Sequence, residues 1–125
     1  MRRRLWPDSD PVELERSAPR PASLELVAEE EGRLIGFAEA SLRDYAEGAP
    51  PGPSPYLEGI WVEPGHRRRG VASALLAAVE AWARRQGFDH LGSDALLDND
   101  VSHLWHRNAG FGEVERIVIF GKPLR

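Results

Sequence analysis

The chain has 125 residues, 42% hydrophobic and 29% charged, which suits one soluble globular domain with one core. With no cysteine it has no disulfide, thiolate nucleophile or cysteine-bound zinc, and a formal net charge of -4 argues against a general nucleic-acid coat. No apolar run is long enough to span a membrane, and "MRRRLWPDSDP" has no apolar stretch behind its arginines, so no signal peptide is expected and the expected location is the cytoplasm.

In chain order, a short helix is predicted around Pro11 to Arg16, ended by the breaker "RSAPRP" (Arg16 to Pro21). "LELVAEEEGRLIGFAEASL" predicts a β-hairpin: Leu24, Leu26 and Ala28 alternate with polar neighbours, Glu31-Gly32 turns, and Leu34 to Leu42 returns. "EGAPPGPSP" (Glu47 to Pro55) is a loop, and "YLEGIWVE" (Tyr56 to Glu63) is a strand with apolar residues on both faces, as in a sheet interior. Val71, Leu75, Val79 and Trp82, widened by Leu76 and Ala78, give a helical stripe that Arg84 and Arg85 close and Gly87 caps. A short strand is predicted over Phe88 to Asp94. A second helix follows, capped by Asp98 or Asn99, with Val101, Leu104 and Trp105 inward and Gly110 at its end. Val114 to Phe120 predicts a last, apolar strand that needs covering, and a second subunit would cover it. The result is an α/β chain (α+β by some schemes) with a mixed sheet, in which Tyr56 to Asp94 forms a right-handed parallel crossover.

Arg67, Arg68, Arg69 and Gly70 stand where a helix entrance favours acids. Strand, glycine-bearing loop and helix together present free backbone N–H groups to an anion, and a phosphate is the natural ligand. Gly70 permits close approach, and Ala72 keeps the next turn small. No Walker or dinucleotide fingerprint is present, and a solvated basic turn is the plain alternative. Glu58 lies in an otherwise apolar strand and therefore demands a cationic ligand, a structural arginine or a water-filled cleft. Asp94, at the end of the neighbouring strand, is either a site acid or a cap. His66 and His103 are expected at the surface, with no metal-site spacing and no evident Ser-His-Asp arrangement.

"RRRGVA" (Arg67 to Ala72) resembles the pyrophosphate signature of the GNAT superfamily of N-acetyltransferases, and "YLEGIWVEPGHRRRGVASALLAAVEAWA" resembles its acetyl-CoA core. Asn99, Ser102 and His106 precede Gly110-Phe111 at the spacing of a second family motif. "LWP", "GFAEASLRDY", "YLEGIWV", "SDALLDN" and "GFGEVERIVIFGKPL" are similar to the bacterial aminoglycoside 6'-N-acetyltransferases. Members of that branch usually carry a strand and most of a helix before "LWP". Here the chain starts almost at that segment, and the part that is short helps wall the substrate side.

The resemblance implies a GNAT-like, mostly antiparallel sheet with a central parallel pair of splayed strands, flanking helices, and a single acetyltransferase domain over 1–125. Acetyl-CoA would lie in the splay, on backbone groups of Ile60, Trp61 and Val62, with its pyrophosphate on Arg67, Arg68, Arg69, Gly70, Val71 and Ala72. The second motif would add Asn99 and His106. Glu58 and Asp94 would bind the polycationic acceptor and accept its proton, and Trp6 and Tyr45 would wall it. His106 stands where many members place a tyrosine that protonates the leaving thiolate; a plain helix-face histidine is the alternative. Acetyl transfer to an aminoglycoside 6'-amine in a ternary complex is the implied activity, relatives being often homodimers. A different amine acceptor and a non-catalytic CoA-binding module are the alternatives.

Overall fold

The computed structural model describes residues 3–5, 23–66 and 70–125. Trp6, the helix expected at Pro11 to Arg16 and the arginines Arg67 to Arg69 lie outside the described residues. The chain divides into two compact units, Met1–Asp94 and Ala95–Arg125.

The first unit carries a five-stranded sheet in the order β1-β2-β3-β4-β5: β1 Arg3–Leu5, β2 Ser23–Glu30, β3 Arg33–Arg43, β4 Ser54–Val62 and β5 Gly92–Ser93. The β2–β3 and β3–β4 pairs are antiparallel, and β1–β2 and β4–β5 parallel. Glu31 (φ 52°) and Gly32 (φ 78°) make the two-residue hairpin turn, both with the positive φ that matches strand twist. Helix α1, Val71–Arg85, crosses from β4 to β5 and buries Val71, Leu75, Leu76, Ala78, Val79, Trp82 and Ala83, the predicted stripe.

Register sorts the sheet into two faces. Leu24, Leu26 and Ala28 pair with Ala40, Ala38 and Gly36. A Cβ added at Gly36 would meet Val71 Cγ1 at 3.2 Å, so this face packs on α1. Leu24, Leu26, Ala28 and Ala38 are at most 1% exposed, and the core lies here. The opposite face carries Phe37 and Trp61, stacked with ring centroids 6.0 Å apart, and the pair Ser41 and Tyr56.

The two α-helices among the described residues each end on a glycine in left-handed conformation, Gly87 (φ 95°) and Gly110 (φ 99°). In α1, Phe88 N–H donates to the Ala83 carbonyl and Gly87 N–H to Arg84. In α2 (Asp100–Asn108), Phe111 N–H donates to His106 and Gly110 N–H to Arg107. Asn99, not Asp98, caps α2, its Oδ1 accepting from Ser102 N–H at 3.0 Å.

Three expectations need correction. The strand expected over Phe88 to Asp94 is ladder-bonded only at Gly92–Ser93. Val101 and Leu104 do not face inward: they are 78% and 57% exposed, because α2 belongs to a small unit with no buried residue on that helix. Trp105 is half-buried, against His106 and Phe111. Val114 to Phe120 is not a strand. Among the described residues it has no ladder partner, and without one an extended apolar run stays irregular, with Ile119 85% and Phe120 90% exposed.

Candidate active site

The parallel contact between β4 and β5 consists of Tyr56 opposite Gly92 and Leu57 opposite Ser93, and goes no further. From Glu58 to Val62, β4 keeps β3 on one side and has no sheet partner among the described residues on the other. That opening is the splay expected between these strands, with the edge of β4 facing it. Its cause is local. The β3–β4 register shifts between Glu39 and Ala40, which pair with Gly59 and Leu57, so Glu58 is the extra residue of a β-bulge. Bulges bend a strand and re-aim a side chain.

The chain then passes a 3-10 turn, Pro64–His66, and enters α1 through Gly70. Gly70 is the N-cap at φ 80°, with no side-chain cap and no acid in the first turn. Among the described residues, a Cβ there would meet nothing within 4 Å. Among the described residues no side chain caps the first N–H groups of α1, which lie at the positive end of the dipole. Val71 is buried and Ala72 half-buried.

Glu58 finds the structural arginine named among its three options, and the sequence did not single out which one. Arg43, at the end of β3, donates from Nε to Glu58 Oε2 at 2.8 Å and from Nη2 to Oε1 at 2.6 Å. Ser41 Oγ donates to Oε2 at 2.5 Å. These donors, Arg43 first, hold the Glu58 carboxyl below its usual pKa, and Glu58 in turn raises that of Arg43. The guanidinium lies 3.6 Å from the centroid of the Tyr56 ring, a cation–π contact. Tyr56, 8% exposed, donates its hydroxyl to Asp94 Oδ2 at 2.9 Å. Burial, then the bond to Asp94, pushes the phenol up to about 12, so at neutral pH it is a donor and not a base. Gly92 makes room for the ring: a Cβ there would sit 2.8 Å from Tyr56 Cδ1. One chain of contacts therefore joins both predicted site acids, from Glu58 through Arg43 and Tyr56 to Asp94. Ser41, Arg43 and Tyr56 were missed by sequence reasoning.

The remaining predicted residues fall as follows. Ile60 is half-buried and Val62 buried on the face toward α1, while Trp61 stacks on Phe37 with 39% of its surface exposed. Tyr45 is 67% exposed in the loop after β3. In the second unit, the Asn99 side-chain oxygen is occupied as a cap. His106 has Nδ1 2.7 Å from the Ser102 carbonyl, with its ring edge-on to Trp105 and Phe111. Nδ1 also lies 3.3 Å from Ser102 Oγ.

His66 is not the surface residue expected: its side chain is 13% exposed, with Nε2 3.2 Å from Glu30 Oε1. A serine–histidine–aspartate set does occur in space. Ser54 Oγ lies 3.0 Å from His90 Nε2, and Asp89 Oδ1 lies 3.7 Å from His90 Nδ1. It offers no nucleophile, since Ser54 is fully buried and the Asp89 contact is too long for a hydrogen bond.

The geometry agrees with comparisons to known proteins. The acetyltransferase (GNAT) family model matches residues 1–111. An aminoglycoside N(6')-acetyltransferase type 1 of Acinetobacter genomosp. 13 is 42% identical over 99% of this chain and 88% of its own length. The crystal structure of an apo aminoglycoside 6'-N-acetyltransferase from Acinetobacter haemolyticus superposes with a TM-score of 0.78 at 42% identity, covering 83% of this chain and 72% of that one. Another, AAC(6')-Iy in complex with the bisubstrate analogue CoA-S-monomethyl-acetylneamine, gives a TM-score of 0.77 at 38% identity, covering 82% and 71%. On the match over most of its length and the splayed β4 edge that leads into a glycine-capped helix, this chain belongs to the acetyltransferase (GNAT) family.

Proposed function

We propose that the protein is an acetyl-CoA-dependent N-acetyltransferase, one domain over 1–125, that acts on the 6'-amine of aminoglycosides. The observation that carries the acceptor is the acid pair Glu58 and Asp94, held on one side of the sheet beside the open edge of β4. An acceptor with several ammonium groups needs such charge. The described residues fit acetyl-CoA: an unpartnered strand edge suits the amide-bearing pantetheine arm, and the uncapped start of α1 suits a pyrophosphate. The co-substrate supplies an activated acyl group as a thioester. The amine nitrogen attacks the thioester carbonyl carbon, the carbon–sulfur bond breaks, and the sulfur leaves with a proton.

The chain's part is to bind, orient and move protons. Backbone N–H groups near Val62 polarise the carbonyl. Glu58 and Asp94 hold the ammonium, which raises its pKa, so a proton must leave through water to one of them before attack. His106 is the candidate donor of the proton that leaves with the sulfur. Proximity in a ternary complex supplies much of the rate.

The relatives that bear aminoglycoside names support this acceptor. No helix among the described residues is long and apolar enough to cross a membrane, and the proposed location is the cytoplasm, where acetyl-CoA is at hand. Acetyl-CoA consumption with kanamycin or tobramycin is the test. Turnover with either is expected; a folded sample that acetylates a polyamine or peptide but no aminoglycoside overturns the acceptor. The exposed apolar residues Val118, Ile119 and Phe120 support a homodimer. Sedimentation at micromolar concentration is expected to show a dimer, and a monomer there refutes that part.

A further inference from the structure

We propose that Arg43 is a specificity-determining residue of the acceptor site: it is a resident counter-ion that an acceptor ammonium must displace from Glu58. This rests on the acceptor reading above and sharpens it.

Both carboxylate oxygens of Glu58 already accept hydrogen bonds, Oε1 from Arg43 Nη2 and Oε2 from Arg43 Nε and Ser41 Oγ. An ammonium that approaches Glu58 therefore competes with a guanidinium that holds it in a two-pronged grip. The competition is winnable because the pair is wet: the Arg43 and Glu58 side chains keep 41% and 29% of their surface, and exposed ion pairs are weak. Arg43 also has somewhere to stay. Its guanidinium rests on the Tyr56 ring, whose hydroxyl binds Asp94, so on release from Glu58 it keeps the aromatic face and the field of the second acid.

The pairing also sets the charge of the site. Two carboxylates and one guanidinium leave a single net negative charge, so a polycationic acceptor meets less attraction than two site acids alone would give. Arg43 thus discriminates by acceptor charge, raising the KM of highly charged acceptors more than that of a simple amine. Glu58 sits on the bulge of β4 and Arg43 at the end of β3, so the ladder between these two strands brings the pair together.

The experiment compares wild type, Arg43→Gln and Arg43→Lys with tobramycin and with n-butylamine as acceptors, over a range of salt. Arg43→Gln is expected to lower the tobramycin KM roughly two- to fivefold, the range that separates exposed ion pairs made from unmade. It should also steepen the rise of that KM with salt and leave the acetyl-CoA KM where it was. Arg43→Lys, which keeps the charge but loses the bidentate fork, should fall between the two, and it decides the matter alone if Arg43→Gln does not fold. A tobramycin KM that is unchanged or higher in the variants refutes the displacement, as does an equal effect on n-butylamine. A wild type that neither binds nor acetylates any aminoglycoside overturns the acceptor reading itself and this inference with it, whereas an active wild type with unresponsive variants overturns this inference alone.

Discussion

Gly70→Asp is expected to abolish acetyl-CoA binding, with Kd rising on the order of 10²- to 10³-fold by calorimetry. Two effects act at that position. Gly70 has φ 80°, where any side chain is strained by roughly 1–2 kcal/mol, less for aspartate than for most. The larger effect is charge. The new carboxylate would stand at the entrance of α1, among the N–H groups proposed to hold the pyrophosphate. Two like charges about 4 Å apart near a protein surface repel by about 4 kcal/mol. Among the described residues the space at Gly70 is open, so the side chain is expected to fit and the fold to survive. Gly70→Asn separates the terms, since it shares the shape and backbone demand without the charge. It should lose about tenfold or less. If Gly70→Asp binds acetyl-CoA normally, or Gly70→Asn is as impaired, the anion site lies elsewhere.

How much of this was legible depends on the range of the physics involved. Local signals held: the alternation of Leu24, Leu26 and Ala28, the Glu31-Gly32 turn, the stripe from Val71 to Trp82 and the cap at Gly87 depend on near neighbours alone. The C-terminal run failed because β-propensity marks what fits a pleated surface, not whether a partner strand is there. Val114 to Phe120 has the residues of a strand and, among the described residues, no ladder. Glu58 was visible because a carboxylate in an apolar run is anomalous wherever it folds, and Asp94 only through the family resemblance. Their partners were not. Arg43 is 15 residues from Glu58 across a loop, and it meets that acid only because the β3–β4 ladder slips by one residue at the bulge. "SLR" alternates as a strand should, placing Ser41 and Arg43 on one face. No local rule says that Glu58 turns toward that face. Tyr56 was hidden for a related reason: its place against Asp94 depends on the β4–β5 contact and on the missing Cβ of Gly92.

Glu58→Gln gives the second large effect, opposite in sign to that of Arg43→Gln. The glutamine keeps the shape but removes the charge that neutralises Arg43. Its single carbonyl oxygen cannot accept the whole fork now held by Oε1 and Oε2. A guanidinium without its counter-ion then faces an incoming polycation, so attraction is replaced by repulsion. Losing charge-assisted hydrogen bonds to the acceptor costs roughly 1.5–3 kcal/mol. That corresponds to a fall of about 10- to 100-fold in kcat/KM for the aminoglycoside. The Kd for acetyl-CoA should stay within about twofold, because Gly70 and the edge of β4 are unaltered, and the melting temperature should move little, since an exposed pair contributes about 1 kcal/mol or less. Combined with Arg43→Gln, the substitution should recover part of the loss, because the stranded cation is gone. Residues joined by direct bonds are expected to be non-additive in this way. Unchanged acceptor kinetics in Glu58→Gln would remove Glu58 from the acceptor site. Strict additivity in the double variant would mean that Arg43 and the acceptor do not share it.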